Sequence, residues 1–161
     1  MSDYADLLET WYINHRITLY ILEATKEDSF DSKPIGMPAR DVKTLFAHIH
    51  NVRMMWLQPV NAELAKSIKK IPTRTRSDKA VITKPYLTTS LQQSGDALGK
   101  ALEQRLQSGK ISILKPTPTA FIGYLISHEA YHRAEICMTL TQAGHPLDES
   151  VLQGMWVWDK R

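Results

Sequence analysis

The chain has 161 residues and a net charge of +3; 43% of its residues are hydrophobic and 23% charged. That balance excludes a disordered chain, and no stretch approaches the roughly 20 consecutive apolar residues that span a bilayer. Length and composition together suit one folded domain over 1–161, and the lone Cys137 excludes an internal disulfide. The acidic start, Met1-Ser2-Asp3-Tyr4, has no signal-peptide core, so the expected compartment is cytoplasmic.

Prolines divide the chain: Pro34 and Pro38 precede one run, Pro72 and Pro85 bracket a polar segment, Pro116 and Pro118 precede another run, and Pro146 follows it. The first helix is expected from Asp3 to Lys26, with Leu8, Trp11, His15, Leu19 and Leu22 on one stripe. The second starts at an Asp41 N-cap and carries Val42, Leu45, Ile49, Val52 and Trp56 inward; Pro59 is expected to end or kink it near Leu57. The third follows Pro85, with a Thr89/Gln92 capping box, an inner face of Leu91, Leu98 and Leu102, and a stop at Gly109. The fourth has Thr117 as cap, Pro118 at the first position and Gly144 as stop, with Phe121, Leu125, His128, His132 and Thr139 inward. The β-branched runs Val81-Ile82-Thr83 and Ile111-Ser112-Ile113 are too short for a sheet. The fold class is therefore all-α, a four-helix bundle.

The segment from Ser67 to Thr83 is long for a bundle connection, as a crossover, lid or linker would be. Lys66, Lys69, Lys70, Arg74, Arg76 and Lys79 fall in or beside it, but no aromatic residue interleaves them to stack on bases. A solvated loop is the expectation, and nucleic acid is not expected as a partner. Cys137, in an apolar helical run, is expected to be a buried, inert thiol.

His128 and His132 are four residues apart, about 400° around a helix, and so share one face. His48 sits between Leu45 and Val52 on the inner stripe of the second helix, whereas His50, about 200° further round, faces away. Three inner imidazoles are either hydrogen-bonded core residues or ligands of one shared metal. Three protein ligands leave a metal open positions, at which a bound water or thiol becomes a nucleophile near neutral pH. His128-Glu129-Ala130-Tyr131-His132 also spells the zincin motif, but His145, next to Pro146, lacks the spacing of a third zincin ligand, so a protease is not expected. Glu129, about 100° from His128, is a candidate to hold a ligand from behind, a catalytic carboxylate or an exposed one; Glu135, almost in line with His128, is a candidate to orient a ligand imidazole or a bound water, or to pair with a surface cation. Tyr124 and Tyr131 flank the pair as candidate pocket walls, and Arg133 lies about 100° off the ligand stripe.

Leu45-Phe46-Ala47-His48-Ile49, Trp56, His128-Glu129-Ala130-Tyr131-His132-Arg133, Ala143-Gly144-His145-Pro146-Leu147 and Trp156-Val157-Trp158 resemble the DinB family of small metal-binding four-helix bundles, unrelated to the DNA polymerase of that name. The resemblance implies an up-down-down-up bundle with a long crossover between the second and third helices. It implies His48, His128 and His132 as ligands of a divalent metal, commonly zinc or nickel, and a homodimer. Characterised relatives include transferases and isomerases that use the metal to activate a low-molecular-weight thiol, so a small-molecule substrate is implied as well. Hydrolysis by activated water, and a non-enzymatic, metal-stabilised, stress-related binding protein, are the alternatives. One departure stands out: where relatives often read His-Arg-Gly-Gln, this chain reads His132-Arg133-Ala134-Glu135.

Overall fold

The computed structural model describes residues 4–36, 40–108 and 117–161, and among them every regular element is helical. The α-helices are α1 (Ala5–Ala24), α2 (Val42–Val60), α3 (Ala62–Ala65), α4 (Arg76–Ala80), α5 (Lys84–Ser108), α6 (Pro118–Gln142) and α7 (Glu149–Gly154). The four long ones are the four expected from sequence. None is long and apolar enough to cross a membrane.

The starts of the long helices follow from their caps. The Asp41 carboxylate accepts from the Thr44 N–H at 2.9 Å and the Thr117 hydroxyl from the Ala120 N–H at 3.2 Å. At the other end of α6, Gly144 takes φ +80°, and the His145 N–H returns to the Leu140 carbonyl at 2.9 Å. Two boundaries differ from expectation. α5 begins at Lys84, because Pro85 is tolerated in a first turn; Thr89 and Gln92 lie inside the helix, and Gln92 donates to Asp96 instead. α2 runs through Pro59 to Val60, since a proline in the last turn costs a single backbone bond, and the Asn61 N–H closes on the Leu57 carbonyl at 2.7 Å. The expected stop at Gly109, the run Ile111-Ser112-Ile113, the prolines Pro38 and Pro116 and the start at Asp3 lie outside the described residues.

Each of α1 and α2 packs against both α5 and α6. The α1–α5 contact is close because α5 carries glycines there: a Cβ at Gly95 would collide with the His15 ring, and one at Gly99 with the Tyr12 phenol. Apolar side chains fill two clusters, one around Leu45, Phe46, Ile49 and Leu91 and one around Trp11, Leu57, Leu98 and Phe121.

Between the clusters lies a layer of buried polar groups. Arg53, 1% exposed, donates Nε and Nη2 to the two oxygens of Glu129, both at 2.7 Å, and Nη1 to the Leu91 carbonyl at 2.9 Å. Asn14 and Thr18 of α1 donate to the same carboxylate at 2.9 and 3.1 Å. Burial and the neighbouring Arg53 cation lower the pKa of His15 to about 3, so the ring is neutral and its Nδ1 accepts from Arg53 Nη1 at 3.1 Å.

The long connection after α2 is fastened to the bundle. Asn51 holds Ile71 by two hydrogen bonds, both at 2.8 Å, and His50 is buried between α2, the Ser90 carbonyl (2.9 Å) and the Lys69 carbonyl (2.9 Å). Within it, Thr75 and Asp78 form a reciprocal capping box that starts α4, and Lys79 reaches back to Asp41 at 3.0 Å. The basic run is thus partly spent on internal pairs.

Candidate metal centre

His48 of α2 and His128 and His132 of α6 come together in the groove between those helices. One ring nitrogen from each lies within 4.8 Å of the others. The His128 and His132 Nε2 atoms are 3.1 Å apart, and the His48 ring centroid is 4.6 Å from that of His132 and 5.5 Å from that of His128.

The groove is at the rim of the core. His132 is buried, but His48 and His128 are half-buried. The inner face of α6 centres on Leu125, Glu129 and Ile136, so the histidine stripe runs along its edge. That is a rotation from the sequence expectation, which put His128 inward. It leaves the cluster reachable from outside. Tyr124 stacks on His128 at 6.2 Å, Trp56 packs edge-on against Tyr124 at 5.7 Å, and the exposed Tyr131 stands edge-on to His132 at 5.2 Å. These aromatics, Trp56 from α2 and the two tyrosines from α6, flank the histidines.

Protonation favours ligand behaviour. Burial, and then the Arg40 cation, lowers the pKa of His48 to about 4; burial, and then His132, lowers that of His128. Both rings are therefore neutral at pH 7 and offer lone pairs. Glu135 accepts a hydrogen bond from His132 Nδ1 at 2.9 Å, which leaves Nε2 as the nitrogen of that ring that faces His128. Two imidazole nitrogens 3.1 Å apart hold either a shared proton or a cation between them. Ligands at about 2.0–2.1 Å from a tetrahedral zinc stand about 3.3 Å apart. The spacing and the donor set are thus compatible with a divalent metal.

The other candidates are sorted by the same geometry. Glu135 stands on the cluster. Glu129 does not: its carboxylate is 1% exposed and engaged by Arg53, Asn14 and Thr18, away from the histidines. It is neither exposed nor free to act as the base of a zincin. Arg133 turns inward to Asn14 Oδ1 at 2.7 Å and Thr18 at 3.0 Å. Cys137 is half-buried rather than sealed, and burial raises its pKa. Sequence reasoning passed over Arg40, whose charge reaches both His48 and His128. Its signal was its place one residue before the Asp41 cap, at the same end of α2 as His48.

A family model described as the DinB family matches residues 1–150. No curated protein matches the chain, and neither does any solved structure.

Proposed function

Because this chain belongs to the DinB family, we propose that it is a metal-dependent enzyme that activates a low-molecular-weight thiol, or water, at the centre formed by His48, His128 and His132. A divalent ion held there, zinc or nickel by family precedent, supplies a positive charge that lowers the pKa of a thiol or water and readies it for attack on a small electrophile. Three neutral imidazoles leave that charge undiminished.

The observation that carries the reading is the convergence of three imidazole rings at a rim groove rather than in a sealed core. An ion with a purely structural role is typically enclosed by four protein ligands. Among the described residues, the three histidines are the one group of metal-binding side chains so placed. Glu135 holds the His132 ring in its orientation. Arg40 adds positive charge at the groove and favours anionic substrates or an ionised thiol. The Trp56, Tyr124 and Tyr131 rings offer an apolar wall to the electrophile.

The test is a thiol-conjugation assay with a panel of small electrophiles, using protein loaded with zinc or nickel. The expected result is turnover that disappears with chelator and in His132→Ala. Metal bound one per chain, with no conjugation or hydrolysis across the panel, would favour the non-enzymatic binding protein instead.

A further inference from the structure

An apolar cavity lies away from the histidines, between α1, α6 and the segment that follows α7. Its volume is about 350 Å³. Ile17, Ile126, Leu152, Met155 and the indoles of Trp156 and Trp158 wall it, and none of the three clustered histidines does. Trp156 is 75% exposed, a large apolar surface to leave in water. The segment is nonetheless held in place: Arg161 stacks on Tyr20 of α1 and donates to the Gly154 carbonyl.

One charged residue reaches this apolar space, Arg133. Its Nη1 is occupied by Asn14 and Thr18. Its Nε and Nη2 donate to no protein atom among the described residues, and neither is sealed from solvent. The charge around it is also unbalanced. Arg53 and Arg133 bring two positive charges to the buried layer, and Glu129 brings one negative charge, already bound bidentately by Arg53 and 3.8 Å from Arg133. His15 beside them is neutral. A buried guanidinium with two free donors on an apolar cavity matches a planar anion attached to a hydrocarbon.

We propose that this cavity binds an amphiphilic organic carboxylate, with the carboxylate on Arg133 and the hydrocarbon against Ile17, Met155, Trp156 and Trp158. The ligand neutralises the second arginine and covers the exposed indole. Ala134 and Cys137 stand at its edge. Because Cys137 is the only cysteine, its thiol reports occupancy.

The experiment compares octanoate with octanol on the full chain, by calorimetric titration and by the rate at which a thiol reagent modifies Cys137. Octanoate is expected to bind at least tenfold more tightly than octanol and to slow Cys137 modification. Arg133→Gln is expected to remove the preference for the anion. Ala134→Trp, which fills the edge of the cavity without touching the buried polar layer, is expected to abolish binding even if Arg133→Gln fails to fold. His48→Ala is expected to leave octanoate binding unchanged; its loss there would put the carboxylate at the histidine centre and overturn the proposal. Equal binding of octanol and octanoate would overturn it too. So would no octanoate binding by a dimer that Ala134→Trp separates, since a second copy would then be the occupant.

Discussion

Two polar clusters share α6, and they are built on opposite terms. Arg53, Glu129, Asn14 and Thr18 form a closed set in which the carboxylate is bound by donors from α1 and α2 and excluded from water. His48, His128 and His132 form an open set, in which ring nitrogens aim at one another across a half-buried groove. Residues 128 and 129 are neighbours in sequence, yet one belongs to each. The lesson is that a helical turn of about 100° separates a group enclosed by donors from other helices from a group of rings left facing a half-buried groove. The closed set specifies how the helices pack; the open set is where binding energy is still to be gained.

That contrast is most strongly broken by Glu129→Ala. It leaves Arg53 charged and buried without its partner, and the expected loss is about 3–5 kcal/mol of unfolding free energy, measured by denaturant titration and the same with or without metal. Replacing Arg53 and Glu129 together by Met and Leu is expected to recover part of it, because Arg53 is no longer stranded while Arg133 still loses the carboxylate 3.8 Å away.

His132→Ala acts on the other set. Metal-free variant and metal-free parent are expected to unfold within about 1 kcal/mol of each other. The parent alone gains stability on adding metal, about 4 kcal/mol at a free concentration 1,000 times Kd. Thermal scans with and without chelator separate the two cases. A variant still stabilised by metal to the parent's extent would remove His132 from the site.

Acid distinguishes the rings from the Glu129 carboxylate by window, since both lose stability as pH falls. His15 and His48 are held neutral in the folded chain, with pKa values near 3 and 4 against an ordinary value of 6.5. The unfolded chain therefore takes up protons first as pH falls below about 6.5, and metal-free stability declines from there, by about 1.4 kcal/mol per pH unit for each proton. The Glu129 carboxylate, whose pKa is lowered by Arg53 against the opposing effect of burial, keeps its contribution until pH falls through that lowered value. Denaturation midpoints of metal-free protein at pH 7, 5.5 and 4.5 measure the decline; a flat profile across that range would mean the two rings are not held neutral.

The smallest expected effect is at Glu135. Glu135→Ala should weaken metal binding by about 10–100-fold, read by competition with a chromophoric chelator, and Glu135→Gln, which keeps an acceptor for His132 Nδ1, by less. Equal affinity in Glu135→Ala would reduce that residue to a surface carboxylate.

The sequence carried the four long helices because their signals are local: an aspartate and a threonine at caps, a proline at a first position, a glycine after a last turn. It also carried the pairing of His128 with His132, which needs only helical geometry. It did not carry which face of α6 is innermost. Apolar periodicity assumes that the centre of a buried face is apolar, and here the centre holds Glu129 and Arg133, with Asn14, His15 and Arg53 opposite them. Charged side chains are buried only with partners, and those partners sit on other helices, where no spacing rule reaches. The same reason hid His50, which faces away from His48 as expected but into backbone carbonyls of α5 and the long connection rather than into water.

The most direct test is a titration of zinc, and separately of nickel, into metal-free protein that carries no histidine tag, with the ion counted per chain in the parent and in His48→Ala. One ion per chain in the parent, and at least a tenfold loss of affinity in His48→Ala, is the expected result. Undiminished binding without His48, or no binding by the parent, would contradict a shared site between α2 and α6.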